Sequence, residues 1–405
     1  MTSPGVEART AIEALRAGVP NGAAIRALGC TEDAIEAAFD HRLDTAATPG
    51  LMLAGGFGTG KSHLLGYLRE VALQRNFITS WVTVSKETPL AAPRAVFAAA
   101  LRTARVPGRN DDAITAALAD IQRRPGAVQA LELWVVSPEA ALPPVFSAIL
   151  HLLNRQLDPD LLSRIEAFLA GGRLPSVQLR HALGKAGARG LYDLRVPNEA
   201  GLLLQRQRFI PALFRAAGFA GWCVLFDEVE LIGRYGPLQR AVAYAELARW
   251  LGLDAALRID GLCVTAAITE DFAQAVIHTR LDEEKLPERL RLKGQPHTAE
   301  LASAAMRAIQ RATKLRPPND HDLTHHVAIL RDLYATAYGW PAPALEPGER
   351  RGNRTMRHHV RGWITQWDML RLEGRSAGID VTAHSTSYEE NAALGEPPPD
   401  AEAED

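Results

Sequence analysis

Residues 55–62 read Gly-Gly-Phe-Gly-Thr-Gly-Lys-Ser, with glycine at the first and sixth places, lysine at the seventh and a hydroxyl at the eighth. Glycines at that spacing let successive backbone N–H groups converge on one point, as a cradle for phosphate oxygens requires. Lys61 would then reach the outer phosphates, and the Ser62 hydroxyl would ligate a hard divalent ion such as Mg²⁺. Lysine is scarce here, six of 45 basic residues, so a chance match in this context is remote. Gly55, Gly56, Phe57, Gly58, Thr59, Gly60, Lys61, Ser62 and the adjoining His63 form the candidate binding segment, and ATP with Mg²⁺ is the expected ligand.

Such a site needs a second carboxylate behind the metal and a group that polarises the attacking water. The apolar run Val224-Leu225-Phe226 delivers Asp227 and Glu228; Asp227 suits the metal and Glu228 the water. Glu230 is a fallback that reads equally as the start of the next helix. A further apolar run, 262–268, ends at Thr269. Thr269 could sit beside the outermost phosphate, or it could cap the helix that follows with Glu270 and Asp271 in its first turn.

The elements that must hold these residues can be read from periodicity. Residues 7–43 carry two helical patterns separated by Pro20, Asn21 and Gly22. The apolar run before Gly55, a helix over about 63–75 and a β-branched run at 77–84 give a strand, loop, helix and strand, the outline of a parallel sheet. Between about 90 and 215 the chain turns helical, with Pro and Gly breaks. Strands resume at 221–226 and 262–268 around a helix at about 238–251. The expected division is a helical preface at 1–44, a core at 45–285 holding the helical insertion, an all-α unit at 286–380 and a disordered acidic tail at 381–405.

Composition limits the function classes. The chain of 405 residues is 47% hydrophobic and 23% charged, with a net charge of −2, so it has ample material for a core and no overall basic field for coating nucleic acid. No apolar run reaches the roughly 18 residues of a membrane span, and the first residues lack a signal peptide's basic and apolar parts; the expectation is a cytoplasmic protein without a membrane. Three cysteines far apart support neither a disulfide framework nor a cysteine-rich zinc site. His321 and His325 echo a zinc helix, but Asp322 is a short substitute for its Glu and the preceding residues look like a helix start. Trp363 and Trp367 read as core.

Taken together, the glycine loop, the Asp-Glu pair, the polar third strand and the helical C-terminal unit resemble AAA+ P-loop ATPases, especially the initiator-like branch. The stretches AIEALRAGVPNGAAIRALG, AGGFGTGKSHLL, VLFDEVELIGRYGPLQRAVAYAELARW and RTMRHHVRGWITQWDMLRL are similar to the ATP-binding proteins of bacterial BREX phage-defence loci, the BrxD-like family. The fold implied is α/β, a P-loop NTPase (AAA+-like) parallel sheet with a large helical insertion and a C-terminal all-α domain. The function implied is an ATPase coupled to DNA or to a DNA-bound partner, acting with other defence proteins including a helicase, in a possible homo-oligomer. The alternative is a nucleotide-dependent scaffold or switch; a small-molecule kinase would need a lidded pocket that 90–215 does not show.

The resemblance carries over Lys61, Ser62, Asp227, Glu228 and Thr269. It also implies a sensor arginine, for which Arg354 is the choice, on a helix face shared with Arg357 and Arg361; an ordinary solvated basic face is the other reading of that stripe. A finger supplied between subunits could be Arg280, Arg289 or Arg291. The 166 positions between Lys61 and Asp227 make the insertion a departure from a minimal core, its use open between partner binding and elaboration.

Overall fold

The computed structural model describes residues 3–45, 48–124, 126–155, 158–346, 355–375 and 387–395. Three helices come first: α1 (Pro4–Ala17), α2 (Gly22–Leu28) and α3 (Asp33–Asp44). Gly18 closes α1 in the left-handed conformation, and the Asn21 side chain accepts the Ala23 and Ala24 amides at the start of α2, the expected ways to end one helix and cap the next. Strand β1 (Leu51–Ala54), α4 (Lys61–Gln74) and β2 (Phe77–Thr83) follow.

Helices then occupy the chain up to the third strand: α5 (Pro93–Arg102), α6 (Ala113–Gln122), α7 (Ala127–Val135), α8 (Pro144–Leu153), α9 (Pro159–Leu169), α10 (Ser176–Lys185) and α11 (Glu199–Ala216). The remainder is β3 (Gly221–Asp227), α12 (Pro237–Trp250), β4 (Leu262–Ile268), α13 (Asp282–Leu292), α14 (Pro296–Gln310), β5 (Thr313–Lys314), α15 (Asp320–Tyr338) and α16 (Met356–Glu373).

The strands form one parallel sheet in the order β2-β3-β4-β1-β5. Side chains alternate between its faces, as the pleat demands. On one face Met52, Trp222, Phe226 and Ile268 join the larger core; on the other Leu51, Leu53, Leu225 and Ala267 pack with Leu65 and Leu68 of α4 and with Ile35 and Phe39 of α3. Both faces are covered, which is why the strands read as continuous apolar runs. Trp222 ties the helical insertion to the sheet: it meets Phe97 of α5 and Phe214 of α11 edge-on, with centroids 6.3 and 6.0 Å apart, and its indole donates to Ser80 Oγ at 2.8 Å.

The division of the chain differs from its sequence outline in two places. Pro287 lies inside α13, where buried Leu286 and Leu290 draw the helix onto the core, and α14 packs on α12; β5, too short to show in the sequence, then adds to the sheet. The sheet unit thus runs on past residue 286. Helices α15 and α16 form a separate core with the preface instead, where Ile12 and Leu28 meet Tyr334, Val360, Trp363 and Trp367. In the region outlined as a disordered tail, residues 387–395 lie against the sheet unit: Glu390 pairs with Arg240 at 2.7 Å and Asn391 N–H donates to Arg234 O at 2.7 Å.

Candidate functional site

The glycine loop leaves the C-terminal edge of β1, where open parallel sheets present their ligand crevices. Gly58 and Gly60 have φ of +78° and +111°, a region closed to most side chains. A Cβ at Gly58 would also come within 2.9 Å of Thr355 Oγ1. The loop holds its own shape: Thr59 Oγ1 donates to Gly56 O at 2.9 Å, and Lys61 Nζ donates to Gly55 O at 2.9 Å and Gly56 O at 3.3 Å. Helix α4 begins at Lys61, so its first amides face the loop without intrahelical acceptors and with the positive end of the helix dipole behind them.

Strand β4 lies between β1 and β3, and β3 brings its acidic end alongside. Asp227 is 5% exposed; its Oδ1 accepts the Glu228 amide at 3.0 Å, and it lines the cavity together with Ser62. Burial raises the Asp227 pKa from its ordinary value, opposed by the nearby Ser62 hydroxyl, the Glu228 amide and the Lys61 charge. Glu228 stands in the left-handed region at φ +57°, a strained conformation of the kind that costs about 1–3 kcal/mol and clusters at working sites. Burial and then the neighbouring Asp227 push its pKa up. Glu230 opens the 3₁₀ turn Val229–Arg234, and it also faces Lys61, Oε1 lying 4.0 Å from Nζ. Burial pushes Glu230 up to about 7, and its Oε2 is buried without a hydrogen-bond partner among the described residues.

A cavity of about 220 Å³ opens over this cluster. Its floor is the loop with Lys61, Ser62, Asp227, Glu228 and Glu230. Its walls come from distant segments: Val19, Pro20, Leu28 and Cys30 from the first helices and their connections, and Pro318, His326, Met356 and Val360 from around α15 and α16. Nothing in the sequence marks these wall residues as neighbours; the helical patterns that bring them together give only an apolar face. Burial raises the Cys30 thiol to about 11, so it lines the wall as an inert group. His63 reaches Gly29 O at 2.9 Å, holding the end of α2 on α4, and burial keeps its pKa below the ordinary value.

Arg354 lies outside the described residues. Of its two companions, Arg357 stands over the Phe57 ring at 4.7 Å and donates its amide to Gly58 O at 3.2 Å, so it lines the cavity beside the loop. Arg361 instead caps the C-terminus of α1, donating to Arg16 O at 2.9 Å and Ala17 O at 3.0 Å. Burial and the adjacent Arg361 lower the Arg357 pKa. Thr269 is buried, but its hydroxyl meets Tyr388 at 2.5 Å rather than the loop, and it does not line the cavity. Arg280 is engaged by Gly233 O, Glu390 and Tyr388 O, whereas Arg289 and Arg291 are exposed. His321 and His325 stack with centroids 6.2 Å apart, and among the described residues no three His, Cys, Asp or Glu are grouped to hold a metal ion. The Ser62–Asp227 pair nevertheless suits Mg²⁺, which keeps most of its shell as water and phosphate oxygen and needs few protein ligands.

No described helix is long and apolar enough to cross a membrane. No curated protein matches the chain. A family model described as "BREX system ATP-binding protein BrxC/D" matches residues 4–121, a stretch that holds α1–α3, β1, the glycine loop, α4 and β2. Over that stretch, less than a third of the chain, the protein is similar to the BREX system ATP-binding proteins.

Proposed function

We propose that this protein binds Mg²⁺-ATP in the 220 Å³ cavity and hydrolyses it as an AAA+-like P-loop ATPase of a BREX phage-defence system, coupling turnover to DNA or to a DNA-bound partner. The observation that carries the reading is the placing of Ser62 and Asp227 together on the floor of a cavity that the glycine loop also lines. Ser62 and Asp227 would hold the ion, directly and through water, and the ion would neutralise phosphate charge. The loop amides and Lys61 would orient the phosphates once Lys61 leaves the carbonyls of Gly55 and Gly56. Glu228, exposed to the cavity, would align the water. Once released from Tyr388, Thr269 would serve the outer phosphate from the end of β4, and Arg357 would serve the loop side; Arg354 remains a second candidate from the sequence. His63 would act on the ligand indirectly, by holding the Gly29 turn against α4. The other BREX components, a helicase among them, and a second copy of this chain are the partners that fit this reading.

A second reading is favoured by the walls. Because α1–α2 and α15–α16 close one side of the cavity and the sheet unit the other, nucleotide would clamp the two together, and the protein would work as a nucleotide-dependent switch with little turnover. Steady-state ATP hydrolysis by the wild type and Glu228→Gln, with and without duplex and single-stranded DNA, separates the two. Turnover that DNA raises and that the substitution lowers on the order of 100-fold or more supports the ATPase. Tight ATP binding with no turnover under any condition overturns it in favour of the switch.

A further inference from the structure

Tyr388 closes the C-terminal end of β4. Its ring stands edge-on to Phe272 with centroids 5.8 Å apart, and it lies so close over Gly233 that a Cβ there would come within 2.8 Å of its Cδ1. Its hydroxyl is 2.5 Å from Thr269 Oγ1 and 3.0 Å from Asp271 Oδ1. The segment is fastened on both sides: Glu390 meets Arg240 at 2.7 Å and Arg280 at 3.1 Å, Arg280 also donates to Tyr388 O, and Asn391 N–H donates to Arg234 O. Arg240 is 2% exposed and is itself fixed by Asp282 through two bonds of 2.9 Å, so the acidic side chain docks on a preformed cation.

Counting protons gives these contacts a direction. A carboxylate oxygen accepts, so the Tyr388 proton goes to Asp271 and the Tyr388 oxygen must accept from Thr269. Thr269 has one proton, and it is spent. Phosphate oxygens are acceptors and need a donor that Thr269 in this arrangement does not have.

We propose that residues 387–391 are a latch, docked through Tyr388 and Glu390 in the cleft formed by Gly233, Arg240, Phe272 and Arg280, that withholds the Thr269 hydroxyl from the outer phosphate of a bound nucleoside triphosphate until the segment lifts. The proposal rests on residues 55–62 being a nucleotide site, and it makes the groove a binding surface for an aromatic-acidic peptide that this chain fills itself. Because latch and outer phosphate compete for one hydroxyl, each must weaken the other by the same factor.

Hydrogen exchange of the full chain tests this without relying on hydrolysis. A non-hydrolysable ATP analogue is expected to speed exchange of the amides at 387–391 several-fold, and ADP to leave them unchanged. Tyr388→Phe, which keeps the ring and loses the hydroxyl, is expected to bind the analogue several-fold tighter with ADP affinity unaltered. In a Tyr388→Ala, Glu390→Ala chain, a synthetic peptide of residues 387–395 is expected to restore wild-type analogue affinity. Equal responses to analogue and ADP, or amides at 387–391 that exchange freely in the wild type, overturn the latch. If the analogue response appears while neither wild type nor Tyr388→Phe hydrolyses ATP, the latch stands and the ATPase reading falls. If both hydrolyse ATP and Tyr388→Phe raises neither kcat nor analogue affinity, the latch falls and the ATPase stands. If neither nucleotide binds, both fall.

Discussion

The two sides of the cavity are built on opposite plans. The floor is a contiguous segment plus one strand end, rich in charge and held by polar contacts among Lys61, Ser62, Asp227 and Glu230. The wall is richer in apolar side chains and is assembled from α1–α2 and α15–α16, which lie some three hundred positions apart. Local geometry dictates the floor, where φ values at Gly58 and Gly60 and the start of α4 settle where amides point. Long-range packing dictates the wall, so its integrity depends on Trp367 and Tyr334 as much as on any residue that faces the ligand. On the proposed reading, phosphate recognition by the floor and closure by the wall are separable, and substitutions can act on one alone.

The largest expected effect is on the wall. Trp367 is fully buried, 5.4 Å from the Tyr334 ring centroid, with its indole N–H donating to Pro343 O at 2.9 Å. Trp367→Ala is expected to cost about 3–5 kcal/mol and to loosen α1, α15 and α16. Calorimetry should then show ATP affinity falling far more than affinity for inorganic tripolyphosphate, which needs only the floor. An equal loss for both ligands would mean that floor and wall are one unit.

Glu230→Gln acts on the floor. Burial raises the Glu230 pKa to about 7, against about 4.3 for a free glutamate. The folded state therefore binds more protons between these values, and the stability this group contributes is full below about pH 4.3 and is lost as pH rises through 7. Glu230→Gln, which does not titrate, should be matched to the wild type in Tm at low pH and should gain on it steadily up to pH 8. The difference has an upper bound of about 3–4 kcal/mol. A Tm difference that does not change with pH would show that Glu230 titrates alike in the folded and unfolded chain.

The smallest effect lies where floor and wall touch. Arg357→Ala removes the cation over Phe57, worth about 1 kcal/mol, and a positive charge from the cavity rim. Roughly fivefold weaker ATP binding with Tm nearly unchanged is expected; an unaltered affinity would place Arg357 outside the ligand's reach.

Legibility in the sequence follows the same contrast. The loop 55–62, the Asp227-Glu228 pair and the runs that became β1 to β4 could be read because each is a local pattern with its own period or spacing. The cavity wall could not, since Val19, Leu28 and Val360 are ordinary apolar positions on amphipathic helices and nothing local tells which helix answers which. The two-residue β5 offers no period at all. Tyr388 hid in an acidic stretch whose composition favours disorder; two arginines on the sheet unit, Arg240 and Arg280, supply the compensating charge. Arg354 falls outside the described residues, and Arg357 is singled out by a close approach to Gly58 that no spacing rule contains.

The packing of α1 and α2 against α15 and α16 also orders events in time. Synthesis runs at roughly 5–20 residues per second, so about 15–60 s pass between the emergence of α1 and that of α15. Through that interval the apolar stripe of the first helices lacks α15 and α16, and the sheet itself waits for β4 and β5, which emerge only after residue 261. The cavity is thus among the last features to form, and an interrupted chain would carry the whole glycine loop without the enclosure around it.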